Sequence, residues 1–138
     1  IHKPKPLIVD SGLLAHLLGA DEKRLADDDQ VAGKIFESFC GMEIVKHAAW
    51  SEAQPNIYHY RHGRDEIDLV VEARSGEVAC LEMKAAASVA SSDFAAMGKL
   101  RDRIGDRFRS GVVVYTGART VPLGDRIWAV PVSGLWAD

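Results

Sequence analysis

Two runs of alternating apolar and polar residues, separated by a short loop, constrain the fold of this 138-residue chain most strongly. The runs are EIDLVVEA at 66–73 and VACLEMK at 78–84. Alternation with a period of two is typical of β-strands, because successive side chains point to opposite faces of a sheet. The segment Arg74-Ser75-Gly76 fits a three-residue hairpin loop with glycine in the left-handed position. The sequence therefore predicts an antiparallel hairpin.

The loop length also predicts which residues face each other across this hairpin. A three-residue loop pairs Ala73 with Glu77, and counting back along both strands places Asp68 opposite Glu82. Directly opposed residues on antiparallel strands have Cβ atoms about 4.5–5.5 Å apart and point to the same face. A two-residue loop would set polar residues opposite apolar ones and would bury neither face well. We therefore expect the two carboxylates to lie side by side.

Two adjacent carboxylates are destabilising unless one is protonated or a cation lies between them. Hard divalent cations take oxygen ligands, and Mg²⁺ typically uses one or two carboxylates. Lys84 lies two residues beyond Glu82 on the same face, where an ammonium can orient a metal-bound water or offset charge on phosphorus. Asp68, Glu82 and Lys84 thus predict a phosphodiester-hydrolysis site that uses Mg²⁺ or Mn²⁺. The alternative is an ordinary solvent-facing strand on which Glu66 and Lys84 form a surface ion pair.

A helix is predicted before the hairpin, from Val31 to about Ala49. Glu37 lies between Gly33 and Gly41, its neighbours at i−4 and i+4. Glycine inside a helix costs about 1 kcal/mol relative to alanine, so close approach of another group is expected along this stripe. Either a ligand approaches and Glu37 belongs to the site, or the helix packs tightly on the sheet and Glu37 points to solvent.

The segments after the hairpin complete the predicted fold class. Ser91-Ser92-Asp93 is a candidate cap for a second helix that ends at about Gly105. The apolar run at 111–117 predicts a buried strand, and the run at 126–132 predicts a last strand that ends by Pro131. The fold class is α/β, with a mixed central sheet flanked by helices on both faces.

The first part of the chain is expected to lead into this domain. Residues 1–30 contain a proline-bearing linker, a short strand at 7–10, a short helix that ends at Gly19, and a mobile acidic connection at 21–29. An aspartate at the end of that connection is expected to cap the next helix. Residues 31–138 form the main domain.

Charge restricts where a nucleic acid could bind. The formal net charge is −3 and the pI is near 5.9, which excludes a histone-like polycation and leaves only local patches. Two such patches are Arg61 and Arg64 before the hairpin, and Lys99, Arg101 and Arg103 on the second predicted helix. The alternative is that these cations are ordinary solvated surface charges.

Compartment and membrane signals are few. No segment approaches the ~20 apolar residues of a membrane span, and we expect no signal peptide because the chain does not open with a charged and then apolar stretch. Cys40 and Cys80 are far apart and form no C-x-x-C motif, which favours a reducing cytoplasmic setting. We expect DNA or RNA as partner, no membrane association, and an oligomeric state that the sequence leaves open.

The order of elements and acidic residues resembles the PD-(D/E)XK, restriction-endonuclease-like phosphodiesterase superfamily. The resemblance covers residues 31–115 and implies an αβββαβ core. It departs from the usual motif at Ile67, where many members have proline before the aspartate.

This resemblance implies a role for each acidic or basic residue of the site. Asp68 and Glu82 would be direct metal ligands, and Glu37 would be an accessory ligand of the metal or of water. Lys84 would be an activating base or a charge stabiliser. The implied activity is metal-dependent cleavage of nucleic-acid phosphodiesters.

A closer resemblance covers nearly the whole chain. The segments IVDSGLLAHLLG, GKIFESFCGMEIVKH and LEMKAAAS are similar to an uncharacterised domain that follows archaeal-type AAA+ ATPase modules in prokaryotic proteins. Because the first residue is Ile1 rather than Met, we expect the chain to be the C-terminal part of such a protein, with the ATPase module upstream. Two alternatives remain open: an inactive nuclease fold that binds nucleic acid or a protein and regulates the ATPase, and a structural oligomerisation module.

Overall fold

Six strands form a single mixed sheet in the computed structural model, which describes residues 8–136. The strands are β1 Asn56–His62, β2 Asp65–Glu72, β3 Val78–Lys84, β4 Phe108–Tyr115, β5 Val121–Gly124 and β6 Ile127–Pro131. They lie in the order β1-β2-β3-β4-β6-β5. The first three are antiparallel, β3, β4 and β6 are parallel, and β5 is antiparallel to β6. The predicted mixed α/β sheet is confirmed.

Four helices accompany the sheet over the described range. They are α1 Ser11–Leu17, α2 Glu22–Asp27, α3 Asp29–Trp50 and α4 Ala95–Ile104. Asp10, Asp21 and Asp28 precede the first three helices, and each side chain accepts hydrogen bonds from the first-turn N–H groups. These bonds satisfy donors that a helix cannot pair internally.

Three expectations about local structure are wrong. Residues 8–10 form no strand, because Asp10 already caps α1; residues 1–7, which hold the rest of that segment and the linker, lie outside the described residues. The connection at 21–29 contains α2. Ser91-Ser92-Asp93 forms a separate 3₁₀ turn, and α4 begins only at Ala95.

The helices α3 and α4 cover opposite faces of the sheet. Met97 and Leu100 of α4 pack into a buried cluster with Cys80 and Val113. The buried residues of α3, Cys40 among them, belong to no part of that cluster, and α3 packs instead against β2 and β3 on the other face. The predicted layering is confirmed. No helix in the described range is both long enough and apolar enough to cross a membrane.

Candidate active site at the end of the central hairpin

The hairpin between β2 and β3 has the predicted loop and register. Gly76 has a φ of +87°, and the Ala73 N–H donates to the Glu77 carbonyl oxygen at 2.9 Å. Val70 faces Cys80, as a three-residue loop requires. The loop length and the alternation select the same register. In this register the polar residues of β2 and β3 lie opposite each other at the end of the hairpin away from the loop.

At that end the strands are joined through side chains. The backbone ladder ends with the pair of Leu69 and Leu81. Beyond it, Oε2 of Glu82 accepts a hydrogen bond of 3.2 Å from the Asp68 N–H. Oδ2 of Asp68 accepts one of 2.9 Å from the Met83 N–H. Each half-buried carboxylate thus lies against the backbone of the opposite strand, and the structure brings Asp68 and Glu82 together as the register predicts.

A β-bulge lies at Asp68. Tyr58 of β1 pairs with Val70, whereas Tyr60 pairs with Ile67, so β2 uses three residue steps where β1 uses two. The extra residue changes the face to which the preceding part of β2 points. Bulges of this kind are common beside active sites, where they redirect a side chain.

The bulge overturns one expectation about the faces of β2. Regular alternation over 66–73 predicts that Ile67 shares a face with Leu69, but Ile67 packs in the cluster beneath α4. His59 lies opposite the bulge, with Nδ1 3.4 Å from the Asp68 carbonyl oxygen. Its Nε2 lies 3.4 Å from a carboxylate oxygen of Glu66. Strand alternation does not predict these contacts of His59, because they arise from the irregular pairing of β1 with β2.

Lys84 ends β3 and forms an ion pair with a residue that the hairpin register does not predict. Its Nζ lies 2.8 Å from Oδ1 of Asp93. Burial raises the pKa of the Asp93 carboxyl, but hydrogen bonds from Lys84 and from the Ala90 N–H, with the charge of Lys84, lower it more. The pKa of Asp93 therefore lies below its ordinary value of 3.8. The sequence predicts only a helix-cap role for Asp93.

Glu37 lies in the middle of α3, the helix that packs on β2 and β3. The close approach expected at Gly33 is not made by the protein, because a Cβ there would meet nothing within 4 Å among the described residues. Gly41, in contrast, is buried. Within residues 8–136, no group of three or more His, Cys, Asp or Glu side chains could hold a metal ion. Glu37 therefore does not join Asp68 and Glu82 in such a group, and the candidate site consists of the Asp68 and Glu82 pair with Lys84 beyond it on β3.

Several of the predicted nucleic-acid-binding cations already have protein partners. Lys99 Nζ lies 2.6 Å from Asp65, and Arg101 lies 2.9 Å from Asp102. Arg101 also donates to the carbonyl oxygen of Asp125, and Arg103 donates to the Tyr60 hydroxyl at 3.3 Å. The carboxylates of Asp65 and Asp102 offset the positive charges of Lys99 and Arg101, so α4 presents less net positive charge than its sequence indicates.

The other two predicted cations lie at the turn between β1 and β2. Arg61 and Arg64 are exposed. Gly63 has a φ of +63° at the first central position of this turn, as in a type II′ hairpin. Because β2 begins here and β3 ends nearby, the turn lies at the same end of the sheet as Asp68 and Lys84.

The two cysteines do not belong to the site. Cys40 and Cys80 are buried and free. Burial raises the pKa of each thiol to about 12. Both therefore remain protonated at neutral pH and are poor nucleophiles.

Comparison with known proteins places the chain in a family. The profile of the domain of unknown function DUF4143 matches residues 32–135. The chain belongs to this family. Two curated relatives are the uncharacterized proteins Mb2031c of Mycobacterium bovis and Rv2008c of Mycobacterium tuberculosis, each 31% identical over 130 residues. The match covers 93% of this DUF4143 chain and 27% of each relative, so the chain spans about a quarter of their length. No solved structure matches it.

Proposed function

We propose that this DUF4143 domain is a divalent-metal-dependent nuclease that cleaves nucleic-acid phosphodiesters. The observation that carries the proposal is the pair of Asp68 and Glu82, whose carboxylates each bond to the backbone of the opposite strand. The resemblance to the PD-(D/E)XK superfamily, with its restriction-endonuclease-like core, supports the same function and includes Lys84 and Glu37.

The residues of the pair have the chemistry that a hard cation requires. Carboxylate oxygens are the ligands that Mg²⁺ and Mn²⁺ favour, and Mg²⁺ commonly binds only one or two of them and keeps several waters. Asp68 and Glu82 would hold the ion. A bound ion would supply Lewis-acid stabilisation of phosphate charge and a more acidic water.

The chain's own residues have distinct roles in this proposal. The hairpin orients Asp68 and Glu82 through their backbone hydrogen bonds, so the two carboxylates keep fixed positions. Lys84, on the same strand as Glu82, presents its ammonium to the charge that develops on the phosphate. The exposed Arg61 and Arg64 at the nearby turn are placed to contact the phosphate backbone.

We extend the proposal to the longer protein. Both curated relatives are much longer than this chain, which matches 27% of their length. The resemblance to domains that follow AAA+ ATPase modules suggests an ATPase elsewhere in the same polypeptide and a cytoplasmic location. The ATPase would supply mechanical work, and the DUF4143 domain would act on the nucleic acid.

A cleavage assay on the full-length protein tests the proposed function. End-labelled single- and double-stranded DNA and RNA are incubated with Mg²⁺, with Mn²⁺ or with a chelator. We expect cleavage only with metal, and a loss of at least about 100-fold in Asp68→Asn, Glu82→Gln and Lys84→Ala. The matched control is Glu72→Gln, which removes a carboxylate on β2 at the opposite end of the strand, where it pairs with Arg107.

Metal binding gives a second measurement. Titration with Mn²⁺, followed by electron paramagnetic resonance, should show one site in the wild-type protein that Asp68→Asn and Glu82→Gln weaken and Glu72→Gln does not. Absence of metal-dependent cleavage would refute the proposal, and absence of a Mn²⁺ site would refute the assignment of Asp68 and Glu82 as its metal ligands.

A second candidate function is favoured by the paired cations of α4. Because Lys99 and Arg101 already bond to carboxylates, the domain presents less positive charge than a processive nuclease groove would. The candidate is an inactive nuclease fold that binds nucleic acid or a protein and regulates the ATPase. It predicts binding without cleavage, and equal binding by Asp68→Asn and wild type.

A further inference from the structure

Asp93 contacts the candidate site from a separate element. It ends the 3₁₀ turn Ser91–Asp93 that precedes α4, whereas Lys84 ends β3. Oδ1 of Asp93 lies 2.8 Å from Nζ of Lys84, and Oδ2 accepts a hydrogen bond of 2.8 Å from the Ala90 N–H. One oxygen of the carboxylate is thus anchored to the turn, and the other holds the lysine.

Asp93 is the more buried of the two side chains, and Lys84 is the more exposed. The Asp93 side chain is 14% exposed and that of Lys84 is 40% exposed. For comparison, the ion pair of Lys99 and Asp65 joins side chains that are 63% and 28% exposed. A lysine has a long flexible side chain whose ordering costs entropy, so a partly exposed lysine keeps one position only against a well-held partner.

We propose that Asp93 is a positioning residue of the candidate active site, which holds the Lys84 ammonium on the face of β3 that carries Glu82. Residues two apart on a strand point to the same face. Asp93 therefore sets where on that face the cation lies, and the turn before α4 becomes part of the site. This inference rests on the proposed function, because it assigns a role within that site.

The contact itself can be tested without any activity. In the full-length protein, the rate of acylation of Lys84 by an amine-specific reagent is followed by peptide mass spectrometry. We expect Asp93→Asn to increase this rate several-fold, because the carboxylate no longer restrains the ammonium. Asparagine keeps an oxygen that can accept from the Ala90 N–H, so the turn should remain folded. Glu72→Gln breaks a different ion pair of 2.9 Å and should leave the Lys84 rate unchanged.

The catalytic consequence needs steady-state kinetics of metal-dependent cleavage. Substitution of a residue that orients a metal-site group typically lowers activity by about 10–100-fold. We therefore expect Asp93→Asn to lower kcat by about tenfold with little change in KM. Asp93→Glu keeps the carboxylate and should recover part of the loss. Glu72→Gln should behave as wild type.

The outcomes separate this inference from the proposed function. Unchanged Lys84 acylation in Asp93→Asn would overturn the inference, and so would unchanged kcat in an active protein. A wild-type protein that shows no metal-dependent cleavage would overturn the proposed function and the catalytic role of Asp93 with it, while the acylation rates would still show whether Asp93 restrains Lys84.

Discussion

At the scale of single residues, the proposed metal ligands also hold the hairpin together. Oδ2 of Asp68 accepts from the Met83 N–H, and Oε2 of Glu82 accepts from the Asp68 N–H, beyond the last backbone pair of the ladder. A partly buried N–H without an acceptor costs about 1–3 kcal/mol. The carboxylate oxygens proposed to bind metal therefore also accept hydrogen bonds from backbone N–H groups. A substitution that keeps the acceptor oxygen and one that removes it should differ in their effect on stability.

Asp68→Ala should destabilise the domain more than Asp68→Asn. Alanine leaves the Met83 N–H without its acceptor, whereas asparagine keeps an oxygen at the same position. We expect the free energy of unfolding of the alanine variant to be about 1–2 kcal/mol lower than that of the asparagine variant, as measured by urea denaturation. Equal stability of the two variants would contradict the structural role of this hydrogen bond.

The ion pair of Lys84 and Asp93 should make stability depend on pH in the acid range. Because the folded state lowers the pKa of Asp93 below 3.8, the pair contributes fully above that value and its contribution is lost as pH falls through the folded pKa. Asp93→Asn should lower the free energy of unfolding by about 0.5–1 kcal/mol at neutral pH. The difference from wild type should shrink as the pH falls below 3.8, through the lowered pKa of Asp93 in the folded state. A difference that does not vary with pH would argue against the pair.

At the scale of elements, loop length and strand alternation are local properties, and they predict the hairpin correctly. The same holds for α3, whose apolar spacing and aspartate cap predict its position. The missed strand β5 contains Pro122 and Gly124 in four residues and has no alternating pattern. It forms because it pairs with the edge of β6, and the residues of β5 alone do not indicate that this edge is present.

Gly76→Ala should destabilise the hairpin through its backbone conformation alone. A Cβ at Gly76 would lie 3.8 Å from Arg107, which is ordinary contact, but the φ of +87° is costly for any residue with a Cβ. We expect a loss of about 1–2 kcal/mol in thermal or urea unfolding. Gly33→Ala in α3, where a Cβ meets open space, serves as control and should be neutral or stabilising by up to about 1 kcal/mol.

At the scale of the whole molecule, the two helical layers bury opposite faces of the sheet, and Gly111 lies where one layer meets it. This residue lies between Cys80 of β3 and Ile127 of β6. A Cβ there would lie 3.0 Å from Sδ of Met97 in α4 and 3.2 Å from Phe108. The absence of a side chain at Gly111 is what lets α4 approach the sheet closely.

Gly111→Val should therefore weaken the packing of α4 on the sheet. Adding a branched side chain to a filled core typically costs about 1–3 kcal/mol, and we expect the free energy of unfolding, measured by urea denaturation, to fall by that amount. Met97→Ala should cost less in the Gly111→Val background than in the wild type, because it removes the atom nearest to the new side chain. A fully stable Gly111→Val variant would show that α4 does not pack closely here.

The sequence by itself determined the hairpin, its register and the meeting of Asp68 with Glu82, because a period of two and a three-residue loop act between near neighbours. Only the tertiary structure decided the bulge at Asp68 and the partner of Lys84. It also decided which cations of α4 bond to carboxylates. Each of these depends on side chains that are distant along the chain, and strand alternation carries no information about which of them meet.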